Sequence, residues 1–357
     1  MTQKELHNQR LVKEAQKAVM QQHTRRHFIK ESAMGFGALA LGSLLGGCNT
    51  SSSANLFDAT NPLAPKAPPF LGKAKSVIYL HMAGAPSQLE MFSYKPELAK
   101  LDGLDCPPSL LNGKKFAFIR GVPKMLGPQA SFKQYGESGI WLSENLPHLS
   151  TVIDDVAVLQ AVTTDQFNHA PAQLLMHTGT PRLGRPSMGS WVSYGLGTEN
   201  NNLPAFCVLL SRGKGNGQGV YSKLWTNGFL DSVHQGVVFS SGDDPVLYLN
   251  NPEGHDKQSR RDMLDQLAKF NAEAFDNFGD PEINTRIKQY EMSYRMQSAV
   301  PELTDLSKES DNTIKMYGPD CLVPGTYAAN CLLARKLSES GVRFVQLYHQ
   351  GWDTHGN

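Results

Sequence analysis

The sequence has almost no net charge and no long apolar run. Each of these two absences excludes a class of partner or of membrane attachment. Its 357 residues carry 34 Lys and Arg against 33 Asp and Glu, a formal net charge of +1. Without a strongly basic surface, nucleic acid is not expected to be a partner. The apolar stretch from Ala33 to Gly47 is too short to span a bilayer comfortably. The length and the 40% of hydrophobic residues still suffice for two average domains or for one large α/β domain.

Cysteine is sparse as well. The chain contains Cys48, Cys106, Cys207, Cys321 and Cys331, and no two of them form a CxxC pair. A thiolate zinc site is therefore not expected. Two alternatives remain for the later cysteines: a local disulfide between Cys321 and Cys331 in an oxidising compartment, or four buried thiols.

The N-terminal region resembles an export signal. Residues 24–30, Thr-Arg-Arg-His-Phe-Ile-Lys, match the twin-arginine consensus and precede the Gly- and Ala-rich stretch. The alternative, a basic patch before a buried helix, does not account for the Arg-Arg-x-Phe-x-Lys spacing. We therefore expect the twin-arginine export machinery to be a partner and the periplasm or cell surface to be the location.

Residues 45–48, Leu-Gly-Gly-Cys, also resemble a bacterial lipobox. Cys48 would then carry a lipid anchor to the membrane, whereas the alternative is ordinary cleavage after a small-residue site. We divide the chain into a signal region with an extended polar start (1–48), a Ser/Pro/Ala-rich linker (49–72) and an α/β domain (73–357).

Strand and helix patterns alternate after the linker. The sequence predicts strands at 75–82, 156–162, 205–210 and 342–348, and helices at 171–177, 259–275, 283–296 and 327–340. This alternation predicts a mixed or mostly parallel sheet with helices on both faces.

Acids and histidines follow the predicted strands. Asp353 and His355 come just after the last strand, and Glu90 follows the first. Carboxylate and imidazole are ligands that divalent metals favour, so we predict Asp353, His355 and Glu90 as ligands. The alternatives are a polar loop in which Asp353 caps a turn, and a solvated acid at Glu90.

A second candidate segment, residues 165–179, runs from a polar loop into a helix predicted to begin near Pro171. The N-terminus of a helix favours anions. We therefore expect His169 near the place where a phosphate or sulfate would bind, with Asn168 and Gln173 as anion-binding residues. The alternative for His169 is a capping or core histidine, and His177 is expected to be structural.

Three stretches together carry a family resemblance. They are HMAGAPSQLEMFSYKPEL, FNHAPAQLLMHTGTPRLGRPSMGSWVSYGLG and GVRFVQLYHQGWDTHGN. From about Ser76 to Asn357 the chain resembles the domain of unknown function 1501 family, which is sulfatase-like and belongs to the alkaline phosphatase superfamily. The resemblance implies a large α/β sandwich with divalent metals at the strand ends, and hydrolysis of sulfate or phosphate esters. The metal implied is zinc, manganese or calcium.

The chain departs from the sulfatase motif Cys/Ser-x-Pro-Ser-Arg. His169 stands at the nucleophile position, Ala172 replaces the Ser and Gln173 replaces the Arg. Formylglycine cannot be made from histidine, so His169 is left as nucleophile, metal ligand or proton carrier. The sequence stops inside a motif, before the later Asp-His pair of the superfamily, so we expect a chain truncated at its C-terminus with an incomplete metal site.

These departures leave two further functional alternatives. One is a non-catalytic binding protein at the cell surface that derives from the same fold. The other, a metal-dependent mutase or isomerase, rests on the superfamily resemblance alone.

Overall fold

The computed structural model describes residues 61–68, 70, 72–114, 119–213, 219–241, 245–247 and 249–353. The predicted export signal, Cys48, the start of the linker and His355 lie outside the described residues. No helix within the described ranges is long and apolar enough to cross a membrane.

A parallel sheet forms the centre of the fold. In the described part of the chain its strands lie in the order β1-β6-β4-β5. Their bounds, with those of a separate antiparallel hairpin, are β1 (Val77–Met82), β2 (Phe132–Tyr135), β3 (Ile140–Ser143), β4 (Phe206–Ser211), β5 (Val237–Phe239) and β6 (Phe344–His349). The register aligns Met82 and Ser211 with His349, so three strands end at one edge. The predicted α/β class with a mostly parallel sheet is confirmed.

The helices of the described residues are α1 (Gln88–Met91), α2 (Pro96–Lys100), α3 (Pro108–Leu111), α4 (His169–Thr178), α5 (Met188–Leu196), α6 (Lys257–Phe278), α7 (Pro281–Thr304), α8 (Asp311–Tyr317) and α9 (Tyr327–Glu339). On one face of the sheet, Phe206 and Tyr348 form a core with Leu174 of α4. On the other face, Val345 packs with Leu337 of α9. Apolar residues alternate between the two faces because successive strand residues point in opposite directions.

Capping residues set the ends of the two longest helices. Asp256 caps the start of α6, and Gly279 ends it in the left-handed conformation, with φ of 63°. Asp280 then caps α7, and Pro281 occupies its first turn, where a missing N–H costs nothing. The two helices predicted at 259–275 and 283–296 are confirmed; α6 extends a few residues beyond both predicted ends, and α7 continues eight residues past its predicted end to Thr304.

Some local predictions were wrong. The apolar run at 156–162 forms no strand; Leu159 and Val162 are 79% and 72% exposed, so the run lacks the burial that would make it a core strand. The β2–β3 hairpin was not predicted. Cys321 and Cys331 are free thiols, so the disulfide alternative is wrong; Cys331 is half-buried whereas Cys321 is buried.

Strand β1 lies at the edge of the sheet. Val77, Ile78, Leu80 and Met82 are 39–48% exposed, whereas the residues of the neighbouring β6 are buried up to Tyr348. An edge strand of this kind offers apolar surface and backbone hydrogen-bonding groups to a partner.

The last part of the predicted linker packs against the domain. The backbone N–H of Lys66 donates to the carbonyl of Leu196 at 3.0 Å, and that of Thr198 donates to the carbonyl of Leu63 at 2.9 Å. The Lys66 ammonium donates to the carbonyl of Tyr194 at 2.7 Å. Residues 61–66 are therefore part of the folded unit. They pack near the amino ends of the strands of the sheet.

Candidate functional site at the carboxyl edge of the sheet

Two loops meet where the strands end. The chain leaves β1 at Ala83, whose N–H donates to the carbonyl of His349 at 2.8 Å. After β6, the N–H of Trp352 returns to the carbonyl of Ala83 at 3.2 Å. These bonds carry the chain to Asp353, whose side chain is 14% exposed. Open parallel sheets bind ligands at this edge, where side chains from several strands converge.

Asp353 lies beside His169. The Nε2 atom of His169 is 3.4 Å from Oδ1 of Asp353, and the His169 side chain is 36% exposed. His169 is the first residue of α4 because Asn168 is extended and its Oδ1 accepts the N–H of Ala170 at 3.2 Å. The helix begins two residues before the predicted start at Pro171. The structure thus brings together two residues that sequence analysis predicted for the site.

The first turn of α4 has few N–H groups left for an anion. The N–H of Ala170 is bound to the side chain of Asn168, and that of Ala172 to the carbonyl of Asn168 at 3.0 Å. Pro171 has no N–H. An anion at this position would therefore depend mainly on the helix dipole and on His169.

Gln173 makes structural contacts. It is 6% exposed, and its Oε1 accepts a hydrogen bond from Nε2 of His81 at 3.3 Å. Its amide donates to the carbonyl of Gly219 at 3.5 Å. These contacts tie α4 to β1 and to the loop after β4. The anion-binding roles predicted for Asn168 and Gln173 stay predictions.

A pair of histidines, His177 of α4 and His81 of β1, joins the helix to the sheet. The rings of His81 and His177 have centroids 4.6 Å apart, and His177 is 1% exposed. Burial, and then the proximity of His81, lowers the pKa of His177 to about 3. Burial also lowers the pKa of His81, against the effect of its bond to Gln173. The pair is therefore neutral at neutral pH, and the structural role expected for His177 agrees with its position.

Sequence analysis did not single out His81. The available signal was the period-two pattern of polar and aromatic residues in two neighbouring strands: Tyr79 and His81 in β1, and Gln346 and Tyr348 in β6. His177 Nδ1 is 3.3 Å from the amide nitrogen of Gln346, which joins α4 to β6.

His349 is fixed on the opposite face of the sheet. Its ring stacks on Tyr327 of α9, with centroids 4.3 Å apart and an interplanar angle of 14°. The indole N–H of Trp352 donates to His349 Nδ1 at 3.2 Å, so this nitrogen is unprotonated. Burial lowers the pKa of His349, which agrees with a neutral ring.

A comparison with known protein families identifies the family of this chain. A family model described as "Protein of unknown function (DUF1501)" matches residues 74–357. The chain belongs to this family. No curated protein and no solved structure matches it.

The DUF1501 chain offers two metal-type donors in contact at this edge. The 3.4 Å between His169 Nε2 and Asp353 Oδ1 is longer than the usual hydrogen bond of about 2.9 Å. It is close to the separation of two ligands around one tetrahedral ion when each lies about 2.1 Å from the metal. The pair therefore fits a divalent metal in both chemistry and spacing.

A third ligand is not seen in the described ranges, which contain no group of three or more His, Cys, Asp or Glu able to hold a metal. Glu90 lies in α1, where its carboxylate accepts the backbone N–H of Gln129 at 2.8 Å. His355 is outside the described residues. The roles of Glu90 and His355 as ligands stay predictions.

Proposed function

We propose that this DUF1501 protein is an exported, metal-dependent hydrolase of sulfate or phosphate esters with a fold of the alkaline phosphatase superfamily. The observation that carries the proposal is the contact between His169 and Asp353 at the carboxyl edge of a parallel sheet. The two residues come from a helix N-terminus and a strand end, which are the elements that bind anions and metals in such folds.

Asp353 and His169 would hold the divalent metal, with His355 and Glu90 as further proposed ligands. Zinc, manganese and calcium are the candidates, because carboxylate and imidazole donors suit them to different degrees. When bound, the metal would neutralise charge on the ester oxygens and polarise the sulfur or phosphorus centre.

His169 has a second chemistry available. If its Nε2 carries the proton and donates to Asp353, its Nδ1 keeps a lone pair for the substrate side. Such a carboxylate-oriented imidazole can take a proton from water, whose oxygen then attacks the ester. The imidazole can also attack the phosphorus or sulfur centre directly and expel the alcohol, after which water releases the phosphate or sulfate from His169. The neutral His81–His177 pair between β1 and α4 adds no competing positive charge.

Metal content of the folded protein tests the proposal. Wild type is measured beside Asp353→Ala, His355→Ala and His169→Ala, with the exposed His148→Ala as the control. We expect a stoichiometric metal that is lost in Asp353→Ala and retained in His148→Ala. A folded wild type that binds no metal would overturn the hydrolase proposal.

A non-catalytic binding protein is the second candidate, favoured by one observation. Gln173, at the position of the sulfatase arginine, is buried and bonded to His81 and Gly219. The polar atoms of this side chain thus make their hydrogen bonds within the protein. A metal-loaded protein that turns over no aryl sulfate or aryl phosphate, while still binding such esters, would support this candidate.

Export is tested separately. Replacing Arg25 and Arg26 together by Lys should retain the protein in the cytoplasm, and fractionation of cells reports the result. Cys48→Ala should release an otherwise membrane-attached protein into the soluble exported fraction. Unchanged distributions in both variants would argue against the twin-arginine and lipid-anchor proposals.

A further inference from the structure

Four large apolar side chains are exposed on and beside α5. They are Leu183, Met188, Trp191 and Phe229, with exposed fractions of 65%, 36%, 44% and 57%. Met188 and Trp191 are three residues apart on α5, so they share one face of the helix. These four residues form what we call the α5 patch. Exposed apolar side chains that lie together mark a surface that meets a partner.

Close packing of two loops holds the α5 patch together. The rings of Trp191 and Phe229 have centroids 5.7 Å apart and an interplanar angle of 74°. A Cβ atom on Gly228 would lie 2.4 Å from the backbone carbonyl carbon of Arg185. The turn that carries Phe229 therefore packs directly on the segment that follows Leu183. Side chains that are already held in place lose little conformational freedom when they bind a partner.

The same helix receives the chain that comes from the predicted export signal. The Lys66 ammonium lies 5.3 Å from the centre of the Tyr194 ring and donates to the carbonyl of Tyr194. The Tyr194 ring in turn has its centroid 5.9 Å from that of Trp191. These contacts connect the docked segment 61–66 with the α5 patch. A chain attached to a membrane upstream of Asn61 would therefore join the domain beside the exposed apolar side chains.

Two arginines flank Leu183 in the α5 patch. Arg182 and Arg185 are exposed, and neither forms an ion pair in the described part of the chain. The carboxylate closest to the patch in sequence, Asp231, already has a partner within the protein. Arginine beside exposed tryptophan and aliphatic side chains is typical of surfaces that lie on anionic lipid, because the aromatic ring suits the interface and the cation attracts the headgroups.

We propose that the α5 patch binds the surface of a phospholipid bilayer that carries anionic headgroups. Trp191 and Phe229 enter the boundary between headgroups and acyl chains, and Arg182 and Arg185 lie at the phosphates. Exposed apolar side chains alone would fit many partners, whereas the two arginines and the nearby docking of the upstream chain favour a membrane. The proposal depends neither on ester hydrolysis nor on a lipid attached to Cys48.

Flotation with lipid vesicles tests the α5 patch. The full chain with Cys48→Ala is the parent protein, so that no lipid is attached and every variant keeps the same N-terminal region. We expect the parent to bind vesicles of phosphatidylglycerol and phosphatidylethanolamine, and to bind vesicles of phosphatidylcholine more weakly. Trp191→Ser and Phe229→Ser should each weaken binding about tenfold or more. Arg185→Gln should weaken binding to the anionic vesicles about fivefold and leave binding to phosphatidylcholine unchanged.

Phe270→Ser is the matched control, because Phe270 is 66% exposed on α6 and lies outside the α5 patch. This variant should bind vesicles as the parent does. Circular dichroism checks that each variant is folded before flotation.

Three results would overturn the proposal. The first is a parent protein that binds no anionic vesicles. The second is equal binding by the parent, Trp191→Ser and Phe229→Ser. The third is a dimeric parent that becomes monomeric in Trp191→Ser, which would assign the α5 patch to contact with a second copy of the chain. None of these results bears on the metal content of the Asp353 variants.

Discussion

A Cβ atom on Gly84 would lie 2.3 Å from the backbone nitrogen of Asp353. Gly84 also has φ of +105°, which residues with side chains rarely adopt. The close approach holds the loop after β6 against the loop after β1. The position of Asp353 beside His169 thus depends on the absence of a side chain at position 84.

Gly84→Ala should therefore destabilise the protein and displace Asp353. Gly103→Ala is the matched control, because Gly103 has φ of +74° and nothing within 4 Å of the added Cβ. The control should cost about 1–2 kcal/mol from the left-handed backbone alone. Gly84→Ala should cost more in urea unfolding and should also lower metal binding. Equal losses in the two variants would contradict a steric role for Gly84.

The buried His177 predicts an acid-sensitive fold. Its pKa is about 3 when folded and about 6.5 when unfolded, so the unfolded state binds the proton more readily. This contribution to stability is present above pH 6.5 and is lost as the pH falls toward 3. The slope is at most about 1.4 kcal/mol per pH unit. His177→Phe should reduce this slope in denaturation curves between pH 4 and 6.5. An unchanged slope would show that another group governs the acid response.

Removing the cap of α4 should weaken the site-bearing helix. Asn168→Ala deletes the acceptor for the N–H of Ala170 and should cost about 1 kcal/mol. Asn168→Asp keeps an acceptor and adds negative charge near the helix N-terminus, so it should stay within about 0.5 kcal/mol of wild type. Chemical denaturation measures both. A loss as large in Asn168→Asp as in Asn168→Ala would argue against capping.

The apolar core between α9 and the sheet predicts a larger loss of stability than the cap of α4 does. Leu337 is fully buried between α9 and the sheet, so Leu337→Ala should cost about 2–5 kcal/mol through lost burial and a residual cavity. Met316→Ala is the comparison on the surface, since Met316 is 84% exposed and should change stability by less than about 0.5 kcal/mol. Thermal and urea unfolding should agree on this order. Similar losses of stability in Leu337→Ala and Met316→Ala would mean that Leu337 is not packed in the core.

Strong local patterns predicted much of the fold. The apolar runs of β1, β4 and β6 and the three-and-four spacing of α9 each carry their own signal, and each forms as predicted. The run at 156–162 has the same composition, but no neighbouring strand covers it in the described structure, and its apolar side chains are exposed. Composition alone does not reveal whether a partner strand exists.

The β2–β3 hairpin had a local signal that was overlooked. Phe132–Tyr135 and Ile140–Ser143 flank a turn in which Gly136 and Gly139 have φ of +69° and +62°. Two glycines between short aromatic-containing runs are typical of a hairpin. By contrast, the contact of His81 with Gln173 joins residues 92 positions apart, and that of His177 with Gln346 joins residues 169 apart. Such pairs follow from the packing of α4 on the sheet, which a single sequence does not encode locally.

The docking of residues 61–66 also fixes where the upstream chain joins the domain. Lys66 secures this segment to the end of α5, near Arg343 at the start of β6, whose side chain donates to the carbonyl of Gly197. Asp353 and its neighbour His169 lie beyond the other end of β6, which is about 20 Å long for a strand of six residues. A tether upstream of Asn61 would therefore join the domain at the end of the sheet away from the His169–Asp353 pair.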